Sequence, residues 1–308
     1  MGGQLDVYMM LRAKIESRLA ELVRLDGPLD PLQGSLRHSL LAPAKRVRAV
    51  LTLVAARELG GRESDALDLA CAVEMIHTSS LILDDLPCMD NAATRRGIPS
   101  NHRVFGEATA ILASIGLMNR AYGVAAASAK LSADQRAEAV GVLEWSVGLE
   151  GLVRGQHDDL ADYRATMNEA QLETMYAQKT GALFAAAAEC GAIVANNQAA
   201  RPAMRKFGLD LGVGFQILDD VLDAHATSDR AGKDTSKDSG RTTFPSLLGV
   251  TEAAEIGRTK IEGGVGAAVA AAQAAGSDGR LFTAFASRLA EAFSELMPEF
   301  RGKLVVSA

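Results

Sequence analysis

Two short acidic clusters carry the most chemical information in this chain of 308 residues. The first reads Asp84-Asp85-Leu86-Pro87-Cys88-Met89-Asp90 and the second Asp219-Asp220-Val221-Leu222-Asp223, each after an apolar run. Carboxylates in such a place are costly if buried without compensation. Pro87 cannot continue a helix, because its ring would clash with the carbonyl of Leu83. On a straight helix Asp84 and Asp90 would point about 240° apart. A helix that stops before Pro87 lets Asp90 fold back beside Asp84. Asp219 and Asp223 are spaced i, i+4 and share one helix face, with Gln216 a turn earlier on it. His77 lies two turns before Asp84 on the carboxylate face. Clustered carboxylates repel one another unless a cation holds them. Oxygen donors alone suit Mg²⁺, which keeps several waters and is commonly shared with substrate phosphates. No His/Cys set competes for zinc. A solvated helix end would account for one acidic pair, whereas two pairs on apolar helices favour a metal site.

The basic residues point the same way. Lys45-Arg46-Val47-Arg48 opens an apolar helix, Arg95-Arg96 follows the first acidic cluster, and Lys179-Thr180 sits in mid-helix. Lys233, Lys237 and Arg241 follow the second acidic cluster. Each alone reads as a solvated charge. Together with Mg²⁺-binding acids they suggest a diphosphate substrate, since Arg forks match phosphate oxygens and Lys supplies point charge. No GxxxxGK[ST] loop is present, so the nucleotide-hydrolase route to phosphate is absent.

These residues must be positioned by helices. Ala is abundant and aromatics are only 5%, which favours helix over sheet. Helical spacing without strand alternation covers residues 5–25, 46–59, 64–86, 106–129, 134–156, 169–197, 200–224 and 281–296. The breakers are Gly60-Gly61, Pro87, Gly97-Ile98-Pro99 and the stretch 225–242. The expected fold is all-α, with roughly ten helices in a single domain over 1–308, because no Pro- or Ser-rich linker divides the chain. The Ala/Gly stretch 263–276 reads as a small-residue helix in a tight packing position. Net charge is −6, so a nucleic-acid partner is not expected. No uninterrupted apolar run approaches the ~20 residues of a membrane span, and the first residues lack the form of a signal peptide. Cys71, Cys88 and Cys190 form no disulfide or CxxC pattern and read as free thiols in a reducing cytoplasm.

In combination, the motifs resemble those of the trans-polyprenyl diphosphate synthases. The segments are Leu83 to Asn91 followed by Arg95-Arg96-Gly97, Phe105 to Leu112, Lys179-Thr180-Gly181, Phe215 to Asp223, and Gly232-Lys233-Asp234 through Thr243. The resemblance runs from about residue 35 to 250. Its character is similar to the geranylgeranyl diphosphate synthases of bacterial carotenoid pathways, since Ile111 to Leu117 stands where farnesyl synthases usually carry Gly-Asp. It implies one all-α barrel of helices around a central cavity, usually a homodimer, with the two Asp motifs facing across the mouth.

It also implies an Mg²⁺-dependent head-to-tail condensation of isopentenyl diphosphate with dimethylallyl, geranyl or farnesyl diphosphate, giving the C20 product. The metal set would be Asp84, Asp85, Asp90, Asp219 and Asp223, with Asp220 in support and roughly three ions per site. Arg95 would hold the allylic diphosphate. Lys45, Arg48, His77 and Arg96 would hold isopentenyl diphosphate. Lys179, Thr180, Gln216 and Lys233 would surround the reacting centre, with Arg241 also on substrate. The chain departs from the family pattern at Pro43-Ala44 before Lys45, at Ala49, at Asn91 and at Arg241. Product length should be set by Met75, Ser79 and Ser80, one or more turns before Asp84, and by Ile115. In this family a bulky aromatic at position 79 resembles the farnesyl-length pattern. The alternatives are a farnesyl (C15) synthase, a class I terpene cyclase, and a non-catalytic subunit of a heteromeric synthase. Retention of both Asp motifs and of the second cationic set argues against the last two.

Overall fold

A computed structural model describes residues 2–24, 30–230 and 241–294. Among them are fourteen α-helices: α1 Gly2–Leu22, α2 Pro31–Leu40, α3 Val47–Glu58, α4 Glu63–Asp84, α5 Asn101–Phe105, α6 Glu107–Ala126, α7 Ala133–Val147, α8 Leu152–Leu160, α9 Glu169–Tyr176, α10 Ala182–Val194, α11 Arg201–Arg230, α12 Phe244–Leu248, α13 Val250–Ala274 and α14 Arg280–Ser294. The only strand pairing among the described residues is antiparallel, β1 Thr94–Arg95 with β2 Ile98–Pro99. The all-α expectation holds. The helix count exceeds ten because α5 and α12 are further short helices, the 134–156 stretch divides at Gly148-Leu149-Glu150-Gly151 into α7 and α8, and the 169–197 stretch divides at residues 177–181 into α9 and α10. The breaker stretch after residue 224 begins later than expected, since α11 continues to Arg230.

Helix α10 is the axis of the packing. All thirteen of its residues are buried, and six of them are alanine. Small side chains let neighbouring backbones approach closely, so α3, α4, α7 and α11 all pack on it. Residues 263–274 of the Ala/Gly stretch are helical within α13, and Gly264, Val265, Ala268 and Ala272 on it are buried. This is the tight packing read from its small residues.

Helix α4 is, by length and composition alone, apolar enough to cross a membrane, although Asp65, Asp68 and Glu74 interrupt its apolar run. Most of that apolar window, 72%, is buried inside the fold, as befits a core helix. It stops at Asp84, just before Pro87, as the proline requires.

Candidate active site

An open cleft of about 630 Å³ gathers the candidate residues of both acidic helices. Asp84 at the end of α4 and Asp219 on α11 both line it. Asp90 folds back as the proline predicts, its backbone N–H donating to the Asp84 carbonyl at 2.9 Å. The charges raise one another's pKa. Burial, and then Asp90 and Asp85, push Asp84 up to about 6 against the pull of Lys179. Burial, Asp220 and Asp223 push Asp219 up to about 7. Burial raises Asp220 to about 6, although the Tyr176 hydroxyl and the Gln216 amide both donate to it. The nearby cations do not offset the cost of burying these carboxylates, and Mg²⁺ fits that deficit.

Among the described residues no three acidic, His or Cys side chains converge as a ready-made metal cage. The donor set is oxygen alone, in separate small groups. This fits an ion that takes one or two carboxylates per side and completes its shell with water and substrate phosphate.

Asp85 stands apart from this set. It is buried, and Arg95 grips one of its oxygens through Nε at 2.9 Å and Nη2 at 2.5 Å. One residue past Asp84, where the helix ends, the side chain turns inward and its Oδ1 fixes Arg95. Arg95 itself lines the cleft, as expected.

Local backbone geometry aims the arginines. Arg96 and Gly97 form the two-residue loop between β1 and β2, with φ of 55° and 78°. Two positive φ values are the mark of a tight hairpin turn that matches strand twist. A left-handed arginine costs on the order of 1 kcal/mol, which its partners must offset. Arg96 reaches the cleft with Nη2 3.5 Å from Glu74 Oε1. The same oxygen accepts from Arg46 Nη1 at 2.8 Å, and Arg46 also has φ of 54°. Glu74 thus joins the turn before α3 to the β1–β2 hairpin.

Lys45, Arg48 and His77 line the same side of the cleft. Arg48 lies 4.3 Å over the Phe184 ring and donates to His77 Nε2 at 3.3 Å. Burial, more than its charged neighbours, lowers Arg48 to about 10, still cationic at neutral pH. Burial and then Arg48 hold His77 well below the usual histidine range. The imidazole is neutral, Nε2 accepts, and the other ring nitrogen is the N–H donor. Tyr8 of α1 donates to the Lys45 carbonyl at 2.6 Å and so pins this segment.

On the opposite wall, residues 177–181 form a π-helical turn between α9 and α10. Such bulges recur where a helix must redirect side chains. Here Lys179 and Thr180 line the cleft. Thr180 donates to Gln216 Oε1 at 3.0 Å, and Lys179 Nζ donates to Asp159 Oδ2 at 2.6 Å. Gly155 of α8 makes room for this turn, because a Cβ there would collide with the Lys179 backbone. Leu81, Leu152, Leu183 and Phe215 supply apolar wall beside these polar groups.

Of the length residues, Ser80 lines the cleft and bonds back to the His77 carbonyl at 2.9 Å. Met75 is buried, and Ser79 forms a reciprocal clasp across helices. Ser79 Oγ donates to the Ser114 carbonyl at 3.0 Å, and Ser114 Oγ donates to the Ser79 carbonyl at 2.9 Å. Ile115 is corrected: it is 57% exposed on the outer face of α6, while its neighbours Ala113, Ser114 and Leu117 face inward. Arg241 does not line the cleft and stands 3.7 Å from Asp159. Lys233 and Lys237 lie outside the described residues.

Sequence reasoning missed Glu74, Gln156, Asp159, Arg164 and Tyr176. Asp159 had a signal, as it ends a third Asp-Asp pair, Asp158-Asp159, near the end of α8. Glu74 had another, a charge within the apolar run of a core helix.

The polyprenyl synthetase family profile matches residues 30–274. The geranylgeranyl diphosphate synthase of Pseudescherichia vulneris is 42% identical over 256 residues, 82% of each chain. That of Pantoea ananas is 43% identical over 79% of this chain and 81% of its own. An FPP/GFPP synthase structure from Zymomonas mobilis superposes with a TM-score of 0.78 at 29% identity, covering 91% of this chain and 97% of its own. A Helicobacter pylori geranyltransferase, solved with magnesium and isoprenyl diphosphate, also gives 0.78, at 27% identity over 95% and 98% of the two chains.

Proposed function

The chain belongs to the polyprenyl synthetase family, whose members are catalytic prenyltransferases, and we propose that it condenses isopentenyl diphosphate with allylic diphosphates to geranylgeranyl diphosphate. The observation that carries this reading is the single cleft that Asp84 and Asp219 share with two separate cationic groups and an apolar wall. Arg95 and Lys179 take the allylic diphosphate. Lys45, Arg48, Arg96 and neutral His77 take isopentenyl diphosphate. A terpene cyclase has no need of that second cationic set.

Asp84, Asp90, Asp219 and Asp223 would hold Mg²⁺, roughly three ions with substrate present, which would neutralise charge on the departing diphosphate. The allylic C–O bond breaks, and its electron pair leaves with the diphosphate. Arg95 and Lys179 stabilise the charge that develops there. The Thr180 and Gln216 oxygens face the allylic cation. The isopentenyl double bond attacks that cation, forming the new C–C bond. A proton then leaves the resulting tertiary cation, with the diphosphate as base, to restore an allylic diphosphate. Leu81, Leu152, Leu183 and Phe215 keep water from quenching the cation.

The small Ser79 and Ser80, and relatives named for the C20 product, support that length, which suits a carotenoid-type consumer. Exposed Ile111, Leu112 and Ile115 on α6 support a homodimer through this face. Unpaired Cys71 and Cys190, buried as thiols, accord with a cytoplasmic setting. The test is incubation of the purified protein with labelled isopentenyl diphosphate, each allylic starter in turn, and Mg²⁺, followed by chromatography of the dephosphorylated product. Geranylgeraniol is expected. Farnesol alone would make it a C15 synthase, and a hydrocarbon would make it a cyclase.

A further inference from the structure

Behind the Lys179 wall, groups from three stretches of chain converge on one guanidinium. Arg164 sits on the 3₁₀ turn Asp162–Thr166 after α8 and is only 4% exposed. Its Nε donates to Asp159 Oδ1 at 3.0 Å, and its Nη1 donates to the Thr242 carbonyl. Thr242 answers with its hydroxyl on the Ala165 carbonyl at 2.8 Å. The guanidinium carbon lies 5.9 Å from the centre of the Tyr176 ring, and the Tyr176 hydroxyl donates to Asp220. The other Asp159 oxygen is the one that holds Lys179. Arg164 therefore touches the anchor of Lys179, the partner of Asp220, and the segment that leads into α12, without lining the cleft itself.

This arrangement has an electrostatic consequence. Lys179 and Asp159 alone would form a neutral pair, and the lysine would contribute little field to the cleft. With Arg164 on the other carboxylate oxygen and Arg241 3.7 Å away, positive charge is left over, and of these cations Lys179 is the one that lines the cleft. The geometry also matters, because only a planar fork donates at once to Asp159 and to Thr242.

We propose that Arg164 is a positioning residue for the condensation: by sharing Asp159 with Lys179 and backing the Tyr176–Asp220 hydrogen bond, it sets Lys179 and the second aspartate cluster against each other at the allylic end of the cleft. This rests on the prenyltransferase reading above.

The test compares wild type with Arg164→Met and Arg164→Lys in steady-state kinetics, alongside calorimetric titration with inorganic diphosphate in the presence of Mg²⁺. Arg164→Met should raise the allylic KM and lower kcat, each by about tenfold, while the isopentenyl KM stays within about twofold. Diphosphate should bind about tenfold more weakly, and Arg164→Lys should recover part of each loss. The double variant with Asp159→Asn should be no worse than Asp159→Asn alone, because Arg164 acts through that carboxylate. Equal rises in both KM values, losses that multiply in the double variant, or a lowered Tm with unchanged kinetics would each overturn the role. If Arg164→Met does not fold, Arg164→Lys is judged by the same criteria at reduced magnitude. A wild type that makes no prenyl product would sink the prenyltransferase reading instead, and the diphosphate titration still reads Arg164.

Discussion

At the scale of single residues, the acidic clusters divide into groups that face the cleft and groups that hold others in place. Asp84 and Asp219 face it, whereas Asp85 is spent on Arg95 and Asp220 on Tyr176 and Gln216. The arginines divide in a parallel way, since Arg95 answers to Asp85 and Arg96 to Glu74. Their loss should therefore separate kinetically. Arg96→Ala should mainly raise the isopentenyl KM, and Arg95→Ala should weaken allylic binding and ionisation. Steady-state kinetics with each substrate varied would show this, and identical effects on both substrates would refute the division. The raised pKa values of Asp84, Asp219 and Asp220 predict a pH effect in metal-free protein. A carboxyl raised above its unfolded value contributes stability that is present below about 4 and is lost as pH rises through about 6 to 7. The Tm of the metal-free protein should thus fall across this window relative to an Asp84→Asn/Asp219→Asn variant. A parallel pair of Tm curves would contradict the cost of burying these carboxylates together. The acidic pairs were legible because carboxylates after apolar runs are costly anywhere. The inward turn of Asp85 was not, because only its contact with Arg95, ten residues later, decides it.

At the scale of elements, short irregularities do the aiming. The stop at Pro87, the two-residue hairpin turn at Arg96-Gly97 and the π turn at 177–181 each redirect charged side chains into one cleft. Pro87 declared its effect in the sequence, since a proline ring has one consequence in a helix. The π turn did not, because residues 169–194 keep a helical pattern and one extra residue in a turn leaves no mark on it. Ile115 was misplaced for a related reason: apolar residues lie on both faces of α6, and only packing against α4 tells which face is inside. The Ser79–Ser114 clasp gives the product-length idea a physical form. Ser79→Tyr would put a ring where two hydroxyls now lie 2.8 Å apart, between α4 and α6. One helical turn, ~5 Å, matches about one isoprene unit of depth. The variant should shift product from C20 towards C15 while keeping the first condensation, as read by chromatography of the dephosphorylated alcohols. Unchanged C20 product would move the floor elsewhere.

At the scale of the whole molecule, one buried alanine-rich helix, α10, lets the acidic helices α4 and α11 close around a shared cleft. The all-helical plan followed from composition and periodicity, which depend on the chain's average character. The core leaves apolar residues uncovered on the outer face of α6, with Leu112 and Ile115 each 57% exposed. If the proposed homodimer forms through this face, Ile115→Glu should give a monomer in sedimentation where the wild type sediments as a dimer, and an unchanged mass would rule this face out as the contact. The central claim is that Asp84 and Asp219 serve one prenyl condensation in one cleft. It is tested most directly by the rate of C20 formation from isopentenyl and farnesyl diphosphates with Mg²⁺, comparing wild type with Asp84→Asn and Asp219→Asn at matched folded concentration. Wild type should turn over, and each variant should fold yet lose on the order of 10³-fold or more in rate. Near-normal product formation by either variant, or none by the wild type, would contradict it.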